Sequence, residues 1–348
     1  MPFTKLSSLF HSNEGASDLD QKLTSAEQGK LWACYIGNTM SVCVLTYMLK
    51  HVDDEEIKAI LEQALSLCKQ FVQTIKEIYE KEGYPVPVGF TETDVNPDAP
   101  RLFADEFYLH YLKYLGKAAI SLYSIAVPLV TRSDTRHFFT HCIDAAIHLL
   151  NDVNALIMKK GQWTKPPLIP YPTSVDYIKK QNYLNGFFGD VRPLQALEIT
   201  HMYDNIENNA TSKAVLLAFS QVATVKQAKD YFRRGFDIAS RHFETLTKFL
   251  QDENLTSAPL LDPLVHTSTQ APFSDKLMMF HKLDMFTVRI RAYANALSMS
   301  ARHDIAAKYG RLILEVGNYV EDGANIMIDH GWMEQPPAAA DRGALVRK

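Results

Sequence analysis

The sequence predicts an all-α chain folded as two tandem four-helix bundles with long crossover connections, and three observations predict it. Residues 131–167 and 301–337 run in register at a constant shift of 170: Asp134 meets Asp304, Phe139 meets Tyr309, Asp152 meets Asp322, Gly161 meets Gly331, and Pro166-Pro167 meets Pro336-Pro337. Apolar residues recur at helical steps of three, four and seven over long stretches, while no alternating Val/Ile/Thr run bounded by hairpin turns occurs. Two unpatterned, proline-bearing segments, 83–100 and 254–272, fall at matching places in the two halves.

Residues 1–23 are polar and unpatterned and read as an N-terminal arm. The first bundle is placed at 24–167. Thr24-Ser25-Ala26-Glu27 has capping-box spacing, and Leu31, Tyr35, Val42, Leu45 and Leu49 continue a helix from it. A second helix runs from Asp53-Asp54 to about Glu82, with Ile57, Leu61, Cys68, Val72 and Ile75 on one face. Seventeen residues of connection (84–100) then reach about 55 Å when extended, enough to return along a helix of about 42 Å. That length permits the single long crossover of ferritin-like bundles, where an up-and-down bundle needs only a short turn. The third and fourth helices are placed at 101–130 and 134–160. Gly161, just past the pattern, supplies a left-handed cap, and the following Pro-Pro cannot continue the ladder.

Residues 168–192 hold prolines, two glycines and five aromatics around a short helix at 174–180, and read as a linker packed between the halves. The second bundle, 193–337, repeats the plan with helices at 193–221, 224–253, 273–301 and 304–331, and 338–348 form a tail.

The composition is that of an ordinary soluble chain: 348 residues, 47% hydrophobic, 22% charged and a net charge of −4. No basic stripe invites nucleic acid or an anionic membrane. The longest apolar run, Ala118–Val130, falls short of the roughly 20 residues of a membrane helix, and the N-terminus lacks the core of a signal peptide. The expected location is the cytoplasm. Cys34, Cys43, Cys68 and Cys142 lie in apolar helical patterns without metal or redox spacing, and read as buried free thiols.

Two constellations could carry chemistry. His137, His141, Asp144, His148 and Asp152 form one stripe of the fourth helix, opposite the apolar stripe, which makes them a solvated or interface face. In the second bundle, core positions turn polar: Glu198 and His201 form an ExxH, His242 replaces Phe71, His281 replaces Tyr111 and Asn295 replaces Ile125. Glu198, His201 and His242 are the candidate ligands for a transition metal such as Fe, Mn or Zn. A di-iron site needs an ExxH from each of two helices, and only one exists here. The remaining reading of this cluster is a polar network or partly solvated groove. The aromatics Phe103, Phe107, Tyr108, Tyr111 and Tyr114 could line a ligand pocket, although aromatics at helical spacing are more often core.

The whole-chain pattern, with GQWTKPP echoed by GWMEQPP after the fourth helix of each unit, resembles an uncharacterised family of tandem ferritin-like proteins of spore-forming bacilli, often labelled spore coat proteins. The resemblance covers about residues 20–340 and implies two ferritin-like bundles and an association with sporulation or the spore coat, with no catalytic residues to carry over. The expected function is that of a non-catalytic structural or interaction protein, with self-association or spore-coat partners. The alternative is a metal-binding protein or metal-dependent oxidoreductase using the inward polar cluster.

Overall fold

The computed structural model describes residues 21–347; the expected arm at 1–23 lies almost wholly outside them. Eight long helices carry the fold: α1 Ser25–His51, α2 Glu55–Lys81, α3 Asp105–Ala126, α4 Ser133–Lys159, α5 Ala196–Val222, α6 Lys226–Asp252, α7 Asp275–Met299 and α8 His303–Asp329. A five-residue helix, α9, closes the tail at Arg342–Val346. In the first unit α1 packs on α2 and α3 on α4, and the pairs join through α1–α3 and α2–α4; α5 to α8 repeat this scheme. The all-α expectation and the two tandem units stand.

The ends of the helices follow from capping chemistry. Thr24 and Glu27 form the expected box, with the Glu27 N–H donating to the Thr24 hydroxyl and the Thr24 N–H donating to the Glu27 carboxylate. Asp54 accepts from the N–H groups of Glu56 and Ile57 at the start of α2. After α4 and α8, Gly161 and Gly331 take φ values of 68° and 64°. The next N–H groups, of Gln162 and Trp332, reach back to the carbonyls of Ile157 and Met327 at 3.0 and 2.8 Å. This is the Schellman arrangement that the duplicated glycine predicts.

The linker departs from expectation. No helix forms at 174–180; a 3-10 turn at Gln181–Leu184 takes its place. Most of 168–190 is exposed, including Tyr171 at 95% and Phe188 at 87%, so the segment runs over the surface instead of packing between the halves. Its aromatic content misleads because the contacts between the units are made by the two crossovers, α3 and α7.

Those elements meet reciprocally. The Asn96 N–H donates to the Pro272 carbonyl at 2.8 Å, and the His266 N–H donates to the Leu102 carbonyl at 2.9 Å. At the shift of 170 these are one contact seen from both sides, since Asn96 corresponds to His266 and Leu102 to Pro272. Isolated bridges pair Val95 with Phe273 and Phe103 with Val265 in the same exchanged manner. The two units therefore join as the halves of a two-fold dimer do, each using the same patch. The aromatics Phe103, Phe107, Tyr108, Tyr111 and Tyr114 are all buried here, as core and unit-to-unit packing. The Tyr111 hydroxyl meets His281, and Tyr114 donates to the Met285 carbonyl.

Candidate functional site

Two-fold pairing of duplicated units creates two equivalent clefts, and the chain treats them differently. One lies where α3 meets α5 and the second crossover; the other lies where α7 meets α1 and α3 and reaches in to α2 and α4 of the first unit. In the cleft where α3 leans on α5, Lys113 binds both Glu207 oxygens at 2.8 and 3.0 Å and Lys117 binds Asp204 at 2.7 Å, leaving a void of only about 20 Å³. In the cleft where α7 leans on α1, the corresponding residues are Leu283, Ile36, Thr287 and Ala33. No ion pair can draw these walls together. A mainly apolar cavity of about 480 Å³ remains, within the range of small-molecule sites.

The cavity owes its size to the residues on each wall. On α1 it is lined by Trp32, Ala33, Ile36, Gly37 and Met40, and on α3 by Leu115, Gly116, Ala118, Ala119 and Leu122. The α7 equivalents of Gly116 and Ala119 are Phe286 and Arg289, which fill the interior of the second unit instead. From α7 the cavity receives Phe280, Leu283, Asp284, Thr287, Val288 and Arg291, a helical stripe of steps three and one. The turn after α8 completes the wall with Trp332, Met333 and Glu334. It is anchored there because Glu334 accepts from the N–H groups of Val88 and Gly89 at 3.1 and 3.0 Å. Gly89 is required at that point: its φ is 63°, and a Cβ would collide with the Thr39 hydroxyl.

Charged groups mark the two ends of the cavity. Lys276 donates to the Gly89 carbonyl at 3.0 Å and lies over the Phe90 ring. At the other end, Arg291 keeps a buried Nε without a hydrogen-bond partner. The Lys30 amine is shifted down, first by burial and then by the Arg291 charge. Asp284 keeps solvent-accessible surface, and its carboxyl is shifted up by burial against the pull of Arg291.

The candidate metal ligands are not assembled. Glu198 is buried, as the helical wheel requires, but as a cap: it accepts from the Gln195 N–H at 2.9 Å, the Ala301 N–H at 3.2 Å and the Arg302 N–H at 3.3 Å, and both its oxygens bind Arg192. Burial would raise its pKa, and these bonds lower it instead. His242 uses both ring nitrogens, on the Tyr293 hydroxyl and on Glu315, each at 3.0 Å. His201 is half-buried on α5. Among the described residues no group of three or more His, Cys, Asp or Glu side chains is disposed to hold a metal ion, so this donor set does not fit the Fe, Mn or Zn site considered from sequence. Asn295 is exposed and not a core position, because it falls on the outer face of α7 near its end.

Other sequence expectations are met. His137, His141, Asp144, His148 and Asp152 are exposed along α4. The four cysteines are buried and free, and burial pushes the Cys43 and Cys68 thiols up to about 12. The residues that sequence reasoning passed over are the charged ones of α7: Lys282 and Arg289 inside the second unit, and Asp284 and Arg291 in the cavity. Lys282 is fully buried on the Ser212 hydroxyl at 2.7 Å, with no carboxylate partner among the described residues. Burial and the Arg289 charge shift its pKa far down. Their signal was present in the shifted comparison, since Lys282 stands where the first unit has Leu112 and Arg289 where it has Ala119.

A family model described as "Protein of unknown function (DUF3231)" matches the chain twice, over residues 14–175 and 183–345. The chain belongs to that family. Within this DUF3231 protein each match spans one of the two four-helix units. A solved structure described as a "putative spore coat protein" from Bacillus halodurans C-125 shares 19% identity, covers 46% of this chain and 100% of its own, and superposes with a TM-score of 0.39. No curated protein matches the chain. Among the described residues, no helix is long and apolar enough to cross a membrane.

Proposed function

We propose that the protein is a non-catalytic binding protein in which two ferritin-like four-helix bundles clamp an apolar small molecule in one of their two equivalent clefts. The ferritin-like assignment is supported by the neighbours: α1–α2, α3–α4, α1–α3 and α2–α4 are the pairs that a single long crossover produces. The observation that carries the binding role is the asymmetry between the clefts. One is closed by Lys113–Glu207 and Lys117–Asp204, and the other, with apolar residues at those positions, keeps about 480 Å³. An association with sporulation belongs to the same proposal as the setting in which the protein would act. Even distribution between spores and vegetative cells would remove that part alone.

Titration with a neutral environment-sensitive fluorophore, N-phenyl-1-naphthylamine, tests the binding role. One saturable site per chain is expected, lost in Gly37→Phe. Gly37 lines the cavity and a Cβ there meets nothing within 4 Å, so a side chain at this position starts into open space. Replacing a helical glycine by phenylalanine also favours α1 by about 0.3–0.5 kcal/mol, so the fold should persist. Absence of saturable binding, or full binding in Gly37→Phe with an intact fold, would sink the proposal.

A further inference from the structure

The cavity has a direction, and that direction names a ligand class; the inference rests on the binding role proposed above. Lys276 and Arg291 both line it from α7 and are separated by fifteen residues, about 22 Å at 1.5 Å per residue. One acyl chain spans half of a bilayer core, roughly 15 Å, so a single extended chain fits between them. The walls along this length are mainly apolar, with Ile36, Gly37, Ala119, Leu283 and Val288 among them, and are broken on α7 by Asp284 and Thr287.

The two ends are not equivalent. The Lys276 amine is already bound to the Gly89 carbonyl, and the neighbouring Glu334 carboxylate is held by two backbone N–H groups. At the Arg291 end a buried guanidinium N–H has no partner, and no carboxylate among the described residues lies within ion-pair distance of Arg291. The Arg291 charge acts on Lys30 as well, so this end of the cavity carries a second cation nearby. Leaving a buried donor unmet costs about 1–3 kcal/mol, and an incoming anion would remove that cost together with the repulsion. Asp284 does not serve as this anion: it is exposed, lies two turns back on α7 and makes no ion pair with Arg291.

We propose that the cleft binds a single long-chain carboxylic acid, with its tail along the apolar walls of α1, α3 and α7 and its carboxylate on Arg291 beside Lys30. A cavity of about 480 Å³ has room for one such chain.

Three probes with the same tail test this, each competing with the naphthylamine below its micellar concentration: hexadecanoic acid, hexadecanol and hexadecyltrimethylammonium. The acid should bind at least tenfold tighter than the alcohol, and the cation most weakly. Arg291→Gln and Lys30→Gln should each reduce the acid-to-alcohol ratio while leaving alcohol affinity and melting temperature in place. Equal binding of acid and alcohol, or an unchanged ratio in both variants, would overturn the carboxylate assignment and leave the apolar-binding role standing. Tightest binding of the cation would overturn it in favour of Asp284. If the naphthylamine binds nowhere and none of the three tails binds, the binding role itself fails and this inference with it.

Discussion

Tyr111 and His281 occupy the same position in the two units, and they meet each other: the Tyr111 hydroxyl lies 2.8 Å from His281 Nε2 and the rings stack at 5.6 Å between centroids. A residue that touches its own counterpart sits on the two-fold relation between the units. The polar substitution there serves the junction between them.

That position makes stability depend on pH. Burial lowers His281 to about 3 and His242 to about 4, the latter against the opposing pull of Glu315, while an unfolded histidine titrates near 6.5. Between these values the unfolded chain binds more protons than the folded one, so stability is complete above pH 6.5 and is lost as pH falls through the window. Melting curves from pH 7.5 to 4.5 should begin to drop near 6.5, by up to about 1.4 kcal/mol per pH unit for each histidine. His281→Phe should make the slope shallower. A wild-type curve flat to pH 5 would contradict this account.

Tyr231 and Tyr319 stack at 4.0 Å between centroids, and each hydroxyl donates to the other's backbone carbonyl, at 3.1 and 2.7 Å. The pair is possible because Gly235 and Gly323 leave room; a Cβ on either would collide with the opposing tyrosine. Helix propensity favours alanine at both sites by about 1 kcal/mol, yet overpacking should win, and each Gly→Ala should destabilise by about 1–3 kcal/mol in denaturant unfolding. Tyr319→Phe combined with Gly235→Ala should recover part of the loss by removing the colliding oxygen.

The fold was legible because its signals are local: the Gly161 and Gly331 caps, the Thr24–Glu27 box and the helical periodicities each read out within a few residues. Glu198 shows where that reading stopped. It stands at the place of Glu27 under a shift of 171, and the capping role recognised in the first unit was not carried across to Gln195-x-x-Glu198. The cavity was illegible for a different reason. It depends on which faces of α1 and α7 meet, and a single chain's periodicity says only that a face is apolar. Only the exchange of Lys113 and Glu207 for Leu283 and Ile36 carried a trace of it.

The two caps should behave alike. Glu27 accepts from the N–H groups of Thr24, Thr131 and Arg132 at 2.7 to 2.9 Å. Burial works to raise its pKa, but these bonds and the Thr24 hydroxyl bring it to about 2. Its contribution is present above pH 4.5 and is lost as pH falls through about 2. Glu198→Gln should cost about 3 kcal/mol by stranding Arg192, and Glu27→Gln roughly 1–3 kcal/mol through its unmet donors. Equilibrium unfolding at pH 7 checks both, and a neutral Glu198→Gln would refute the capping role.

Lys282 predicts a gain. The first unit has Leu112 at this position, and the amine in α7 meets Ser212, the Met285 sulfur and the face of the Phe286 ring, with no carboxylate among the described residues. Burial disfavours the proton that the unfolded chain's lysine keeps at pH 7, and a leucine of similar volume carries no such cost. Lys282→Leu should therefore raise the melting temperature at pH 7, and the gain should shrink toward pH 10 as the wild-type amine loses its proton penalty. A lower melting temperature at pH 7 would show that the Ser212 bond outweighs desolvation.

The difference between the clefts can be reversed by design. Ile36 and Leu283 stand where the closed cleft has Glu207 and Lys113, so Ile36→Glu with Leu283→Lys transplants its ion pair into the open one. Each change alone places an unpaired charge against apolar walls and should destabilise the protein. Together they should recover much of that loss, with a coupling of about 0.5–3 kcal/mol in a double-mutant cycle. Probe binding should disappear in the double variant while its melting temperature stays near that of the wild type. Additive losses, or a double variant that still binds the naphthylamine as the wild type does, would show that the cleft's openness is set elsewhere than at these two positions.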